Sequence, residues 1–229
     1  MTKIAFLCSG GGGNLRFIAE AIRLGILKAR LVAVITDREC LANRFARENG
    51  VSTQVIDFSE PRQVTLTRLL AQSNADVVVT NVHRILVPTV VEAFEGKLIN
   101  LHYSLLPAYG ATIGIKPVAA ALQGGVAFSG VTAHLVDVGV DTGRPLVQSA
   151  IPLQQNDTME SIIDVVFRAG CMSLLNAVLL HQGATPQPCA ISLFHGRQVF
   201  MNPDVTWDKS LVDEASWQRI ADYATSQLD

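Results

Sequence analysis

The chain has 229 residues, 49% hydrophobic and 17% charged, with Lys+Arg 18 against Asp+Glu 20 and a net charge of −2. A charged fraction below the ~25% usual for soluble domains, beside so large an apolar one, excludes a disordered or fibrous chain and points to strands buried on both faces. The charge balance gives no strong field for nucleic acid, and four scattered cysteines without a CxxC pair do not read as a disulfide scaffold.

The N-terminus enters the apolar run Lys3–Cys8 directly, and no signal peptide is expected. That run ends in Ser9 and four glycines. Asn14 follows, and Leu15, Ile18, Ala19 and Ile22 share one helical face. The pattern is strand, tight glycine loop, helix. Ala29–Ile35 predicts a second strand, Cys40–Glu48 a helix, Ser52–Ile56 a third strand and Glu60–Gln72 a helix. Ala75–Thr80 is a β-branched fourth strand, Val87–Phe94 a short helix and Lys97–Leu101 a fifth strand. Strands alternating with helices predict an α/β fold with an open, mostly parallel, Rossmann-like sheet and helices on both faces.

After His102 the texture changes. Pro107–Gly114 is a loop and Pro117–Leu122 a short helix. Ser129–Val136 and Leu146–Pro152 predict an antiparallel edge flanking the segment Asp137–Arg144. Met159–Leu180 is a long apolar helix, capped by Thr158 with Ser161, that packs across the sheet. No apolar stretch is taken to reach the ~20 residues of a bilayer span. Ser192–Phe194 and Gln198–Met201 form a hairpin, and Trp207–Asp229 is a short, weakly constrained amphipathic tail. Residues 1–185 are expected to form a catalytic domain, 186–229 an extension packed on it, and the cytoplasm is the expected location.

Three segments can carry chemistry. Gly10, Gly11, Gly12, Gly13 and Asn14 present backbone N–H groups at a helix N-terminus, a setting that attracts anions and phosphate above all. Asn14 can cap that helix or reach a ligand; without a ligand the loop is a tight turn. A dinucleotide site needs an acid about 20 residues on. Asp37 offers one, although Leu15 and Arg16 stand at the end of the glycine spacing. Asn100 and His102 are two apart at a strand end, so both side chains share a face at the carboxyl edge where open α/β sheets bind ligands. Asn can donate to a developing oxyanion and His can move a proton near neutral pH. The alternative is a strand end bonded to its own loop. Asp137 and Asp141 lie in a glycine-framed loop with too few oxygens for calcium. Asp141 either orients a histidine or water or is an Asx-turn residue. The five histidines show no HxH or HExxH spacing, and no metal is expected.

Ser9–Asn14, His83-Arg84-Ile85-Leu86, the run from Ile99 to Pro107, Thr132-Ala133-His134 and Val140–Pro145 follow one another in order. With its N-x-H-x-S-L-L-P run and a later H-x(6)-D element, the chain resembles the folate-dependent formyltransferases, most closely the glycinamide ribonucleotide formyltransferases, from Lys3 to about Leu180. The resemblance implies transfer of a formyl group from 10-formyltetrahydrofolate to a primary amine. It implies Asn100, His102 and Asp141 as the catalytic set. It places the folate near Arg84, Ile85, Leu86, Val138, Gly139 and Val140, held largely by backbone groups, and the substrate at Gly10–Asn14. The expected partners are a small amine and the folate, with no nucleic acid and no membrane.

Some positions depart from the family's pattern. Gly13 stands where a serine usually helps hold phosphate, Gly170 where a glutamate faces the substrate, and the loop after Pro107 is longer and lacks the usual histidines. Gly170 is expected to open room for a bulkier acceptor, such as an amino sugar or another small amine. Hydrolysis of formyltetrahydrofolate is a rival reading, disfavoured by the absence of a leading regulatory domain. A transfer-RNA-directed enzyme is disfavoured by the short, acidic tail. A folate- or nucleotide-binding module without turnover is the reading from another class.

Overall fold

The computed structural model describes residues 1–225, the last four by backbone alone. The chain forms two compact units, one of Met1–Leu98 with the stretch from Trp207 onward, the other of Ile99–Thr206.

In the first unit the apolar runs become β1 (Thr2–Cys8), β2 (Ala29–Thr36), β3 (Ser52–Val55) and β4 (Val77–Asn81). Their order is β3-β2-β1-β4, and each neighbouring pair is parallel. The connections contain α1 (Gly13–Arg23), α2 (Leu41–Glu48) and α3 (Val64–Ser73), the crossover helices that parallel strands require. α4 (Pro88–Ala93) follows β4 and begins with a proline, where a missing N–H costs nothing. Ile4, Ala5, Phe6 and Leu7 are all fully buried. With no face turned to water, β1 reads as a continuous apolar run rather than an alternation. Cys8 continues it, and burial pushes its thiol up.

The second unit is antiparallel. It holds β5 (Leu98–His102, whose first residue belongs to the first unit), α5 (Lys116–Gln123), β6 (Phe128–Leu135), β7 (Pro145–Pro152) and α6 (Met159–His181). β8 (Pro186–Gln187), β9 (Ala190–Phe194), β10 (Arg197–Asn202) and β11 (Asp204–Val205) complete it. Its strands run in the order β5-β6-β7-β10-β9, all antiparallel, while β8 pairs with β11. The α/β class with an antiparallel edge is thus the one the sequence predicts; only the small β8–β11 pair is new. The β9–β10 turn places His195 and Gly196 at positive φ, the geometry of a tight two-residue hairpin.

α6 corrects one expectation. It is 23 residues long with a mean hydropathy of 1.7 over its most apolar window, enough by length and composition to cross a bilayer, yet 78% of that window is buried. It is a core helix. Ser173 on α6 and Ser149 on β7 share a hydrogen bond of 2.7 Å inside that core. Thr158 and Ser161 cap its start reciprocally, at 3.3 and 3.0 Å.

The tail corrects another. α7 (Glu214–Thr225) docks on α1. Trp217 stacks on Phe17 with centroids 5.1 Å apart and planes 12° from parallel. Arg219 donates to Glu20 at 2.6 Å, and Arg16 Nε donates to the Ile220 carbonyl at 3.1 Å. The weak constraint predicted for Trp207–Asp229 fails up to this helix; residues 226–229 lie outside the described residues.

Candidate active site

In the first unit the strand order reverses at β1, between β2 and β4. Ligands of open α/β sheets bind outside the carboxyl ends at such a switch point. Cys8 lies level with Asn81, so the glycine loop and the segment 82–87 leave the sheet side by side. Ser9 Oγ accepts from the His83 N–H at 2.8 Å and ties the two together. Asp37 adds a second tie, pairing with Arg38 at 2.9 Å and with Arg84 at 3.4 Å. Arg38 above all, against the opposing effect of burial and with help from Ser9 and Arg84, holds the Asp37 carboxyl below the usual carboxylate range. An aspartate so engaged braces loops, and the dinucleotide-site reading of Asp37 loses its support.

Gly12, at φ +67°, caps α1 without a side chain. A Cβ there would also press on Ala42 at 3.1 Å, so the position demands glycine. Gly10 and Gly11 face open space, and the Gly11 carbonyl accepts from Arg16. Asn14 is buried inside α1; the capping role offered for it belongs to Gly12.

In the second unit, β5–β6 pairing sets Asn100 opposite His134 and His102 opposite Thr132. Directly opposed residues point the same way, so the four side chains share one face. The loop between β6 and β7 brings Asp141 to them at φ +56°, a left-handed conformation aspartate tolerates. His102 Nδ1 lies 3.2 Å from Asp141 Oδ2, and His134 Nε2 lies 3.7 Å from Asp141 Oδ1. The Asn100 amide nitrogen is 3.2 Å from His134 Nε2. His134 Nδ1–H donates to the Leu135 carbonyl at 2.8 Å, which leaves Nε2 to accept from Asn100. The side chains of His102, His134 and Asp141 are 6%, 3% and 11% exposed.

The loop after Pro107 closes over this cluster. Tyr109 and Ala111 both adopt positive φ. The Tyr109 carbonyl faces His102 Nε2 at 3.1 Å, and the Ala111 N–H donates to Asp141 Oδ2 at 2.9 Å. His102 therefore has an oxygen acceptor at each ring nitrogen, and an incoming oxyanion at Nε2 must take the place of the Tyr109 carbonyl. Burial pushes the Asp141 carboxyl up, but His134 and His102 in their cationic forms and the Ala111 N–H more than offset it, and it stays below its ordinary value. An amide donor, an imidazole and an ionised carboxylate within reach of one another can stabilise an oxyanion and relay a proton.

The structure thus brings Asn100, His102 and Asp141 together and adds His134, to which the residue-by-residue reading gives no role. The H-x(6)-D spacing to Asp141 was the available signal. The Asx-turn aspartate of the loop is Asp137, whose Oδ1 accepts from the Gly139 N–H at 3.1 Å and from Thr142 Oγ1 at 2.7 Å. Of the residues assigned to folate, Arg84, Ile85 and Leu86 follow β4 in the first unit, while Val138, Gly139 and Val140 lie in the Asp141 loop of the second. Ile85, Val138 and Val140 all expose apolar side chains. The expectation that Gly170 opens room is corrected. A Cβ on it would meet Leu101 at 3.0 Å and Tyr103 at 3.2 Å, so Leu101 and Tyr103 already fill that space.

A strand-end amide, imidazole and carboxylate, in a chain whose other unit has parallel strands and a glycine loop at a switch point, are the parts of a group-transfer catalyst that handles an oxyanion and a proton. A family model described as formyl transferase matches residues 2–179. The phosphoribosylglycinamide formyltransferase of Mycobacterium tuberculosis is 38% identical over 166 residues, covering 70% of this chain and 75% of that protein. The chloroplastic phosphoribosylglycinamide formyltransferase of Vigna unguiculata is 36% identical over 169 residues, and the match spans 70% of this chain but 54% of that protein, about half its length. The crystal structure of glycinamide ribonucleotide transformylase 1 from Symbiobacterium toebii superposes with a TM-score of 0.73 at 28% identity, covering 87% of this chain and 94% of that one. The chain belongs to the formyl transferase family.

Proposed function

We propose that this chain moves a formyl group from 10-formyltetrahydrofolate to the primary amine of a small phosphorylated acceptor, with glycinamide ribonucleotide the leading candidate. The observation that carries the reading is the cluster of Asn100 and Asp141 with the buried His102 and His134 in a chain of this family. The amine nitrogen attacks the formyl carbon, and the carbonyl oxygen takes the electron pair. Asn100 and His102 donate to that oxygen, each such donor being worth roughly 2.7–4 kcal/mol. Asp141, held ionised, keeps His102 in place and accepts, through water, the proton leaving the attacking nitrogen. The bond from carbon to the folate nitrogen then breaks, that nitrogen takes up a proton, and the formylated amine and tetrahydrofolate leave.

The residues present suit both substrates. Gly10 and Gly11 have open space where a Cβ would stand, which admits an anion close to the backbone N–H groups. Ile85 in the first unit exposes an apolar side chain of the kind a folate ring would cover, and Val138 and Val140 do the same in the second. The loss of the serine hydroxyl at Gly13 removes one hydrogen bond to phosphate, worth roughly 0.5–3 kcal/mol, and leaves the backbone donors.

The deciding experiment offers the protein 10-formyltetrahydrofolate with glycinamide ribonucleotide, an amino sugar, other small amines or water alone. Tetrahydrofolate release and product mass are then read. Formylated glycinamide ribonucleotide is the expected product. Formate released at the same rate without any amine would make the chain a hydrolase, and preference for an uncharged amine would remove the phosphate from the reading.

A further inference from the structure

Gln63 lies where the chain enters α3. It is 2% exposed, and its backbone has φ +45°, directly after Arg62 at φ +64°. Two successive side-chain-bearing residues in the left-handed region are strained and persist only where their surroundings fix them. The surroundings here are hydrogen bonds made by the Gln63 amide. Its nitrogen donates to the carbonyls of Phe58 and Ile85, each at 3.0 Å, and its oxygen accepts from the Val87 N–H at 3.0 Å. All three partners are backbone groups. A buried amide satisfied in this way is a rigid brace, because losing any of the three bonds strands a polar atom without water.

The brace acts on one segment. Between β4 and α4 the chain forms no helix or strand from His83 to Val87. Ser9 Oγ holds that segment at the His83 N–H, and Gln63 holds it at the Ile85 carbonyl and the Val87 N–H. Arg84, Ile85 and Leu86 lie between these fixed points, and Ile85 turns an apolar side chain outward with 69% of it exposed. An exposed isoleucine on a braced loop at the sheet's switch point suits a flat ring that also offers amide-like edges to the backbone.

We propose that Gln63 is a positioning residue for the formyl donor, fixing the Arg84–Val87 segment in the shape that receives the ring of 10-formyltetrahydrofolate. This rests on the reading of Arg84–Leu86 as folate contacts. Gln63 touches neither substrate and acts through the backbone at Ile85 and Val87, so its effect falls on donor affinity and spares the acceptor.

The test compares wild type with Gln63→Glu, Gln63→Ala and Arg62→Gly. Gln63→Glu keeps the shape but turns oxygens toward two carbonyl oxygens, while Arg62→Gly relieves backbone strain and leaves the amide alone. Steady-state kinetics vary each substrate in turn, and tetrahydrofolate binding is titrated directly. The expected result is a KM for 10-formyltetrahydrofolate and a Kd for tetrahydrofolate raised roughly 10-fold or more in both Gln63 variants. The acceptor KM and kcat should stay within about two-fold, and Arg62→Gly should behave as wild type. Unchanged donor affinity in folded Gln63 variants overturns the proposal. So does a parallel decline of kcat and both KM values, which marks a merely structural residue. Should neither Gln63 variant fold, amide exchange in the wild type decides: tetrahydrofolate must slow exchange at Ile85 and Val87, and an unchanged rate there overturns the proposal. A wild-type chain that binds no tetrahydrofolate brings down the donor reading itself, and the proposal with it.

Discussion

His102 and Asp141 form a pair in which each fixes the other. The carboxylate lies 3.2 Å from Nδ1 and receives the Ala111 N–H at 2.9 Å, while the imidazole reaches the Tyr109 carbonyl from its other nitrogen. Removing the ring takes a partner from a half-buried carboxylate, and neutralising the carboxylate removes what orients the ring. His102→Ala and Asp141→Asn should therefore each lower turnover by at least ~100-fold, measured as tetrahydrofolate release, with folate binding better preserved because the folate is expected to be held largely by backbone groups. A near wild-type rate for His102→Ala would take that residue out of the mechanism. Loss of folate binding in a folded His102 variant would make it a positioning group.

At the scale of elements, the α1–α7 contact has its own energetics. Trp217 stacked on Phe17 buries a large aromatic surface, and Trp217→Ala should destabilise this docking by about 3–5 kcal/mol. Hydrogen exchange should show the loss first in the amides of α7. Glu20, between Arg23 and Arg219, adds a pH dependence. Its carboxyl is lowered from 4.5 to about 2, first by Arg23, against burial, and then by Arg219. A folded value below the unfolded one means that the stabilisation is complete above pH 4.5 and is lost as the pH falls toward about 2. Exchange in α7 should accelerate across that window in the wild type and lose that pH dependence in Glu20→Gln. Alone, the tail is only an amphipathic stretch; its partner, the Phe17 face of α1, lies some two hundred residues earlier and leaves no local signal.

For the whole molecule, what could be read in advance follows the range of the interactions. β1 and β4 were legible because strands buried on both faces write their burial into consecutive residues. Asn100 and His102 were legible because period two is a local rule. His134 was harder, since a histidine within an apolar strand looks like any core residue until the β5–β6 register sets it opposite Asn100. Gly170 misled because the side chains filling its space, Leu101 and Tyr103, belong to another segment. The sheet of the second unit ends in β9, the outermost strand among the described residues, where Ile191 and Leu193 are 57% and 67% exposed. An apolar edge strand is a template for unwanted pairing. Leu193→Lys should reduce light scattering on heating and leave turnover unchanged; equal scattering would place the aggregating segment elsewhere.

Gly143 has no side chain to offer the reacting groups, yet it stands next to the carbonyl that governs one of them. A Cβ at this position would lie 1.8 Å from the Leu135 oxygen, and that same oxygen receives the proton on His134 Nδ1. A single methyl group would push the acceptor aside and free the ring to exchange its tautomer, so that Nε2 would carry the proton and no longer receive the Asn100 amide. The vacancy left by a missing side chain thus works as a proton address. Gly143→Ala should reveal this in the nitrogen-15 shifts of His134, where the protonated position should move from Nδ1 toward Nε2 although every polar side chain of the cluster is still present.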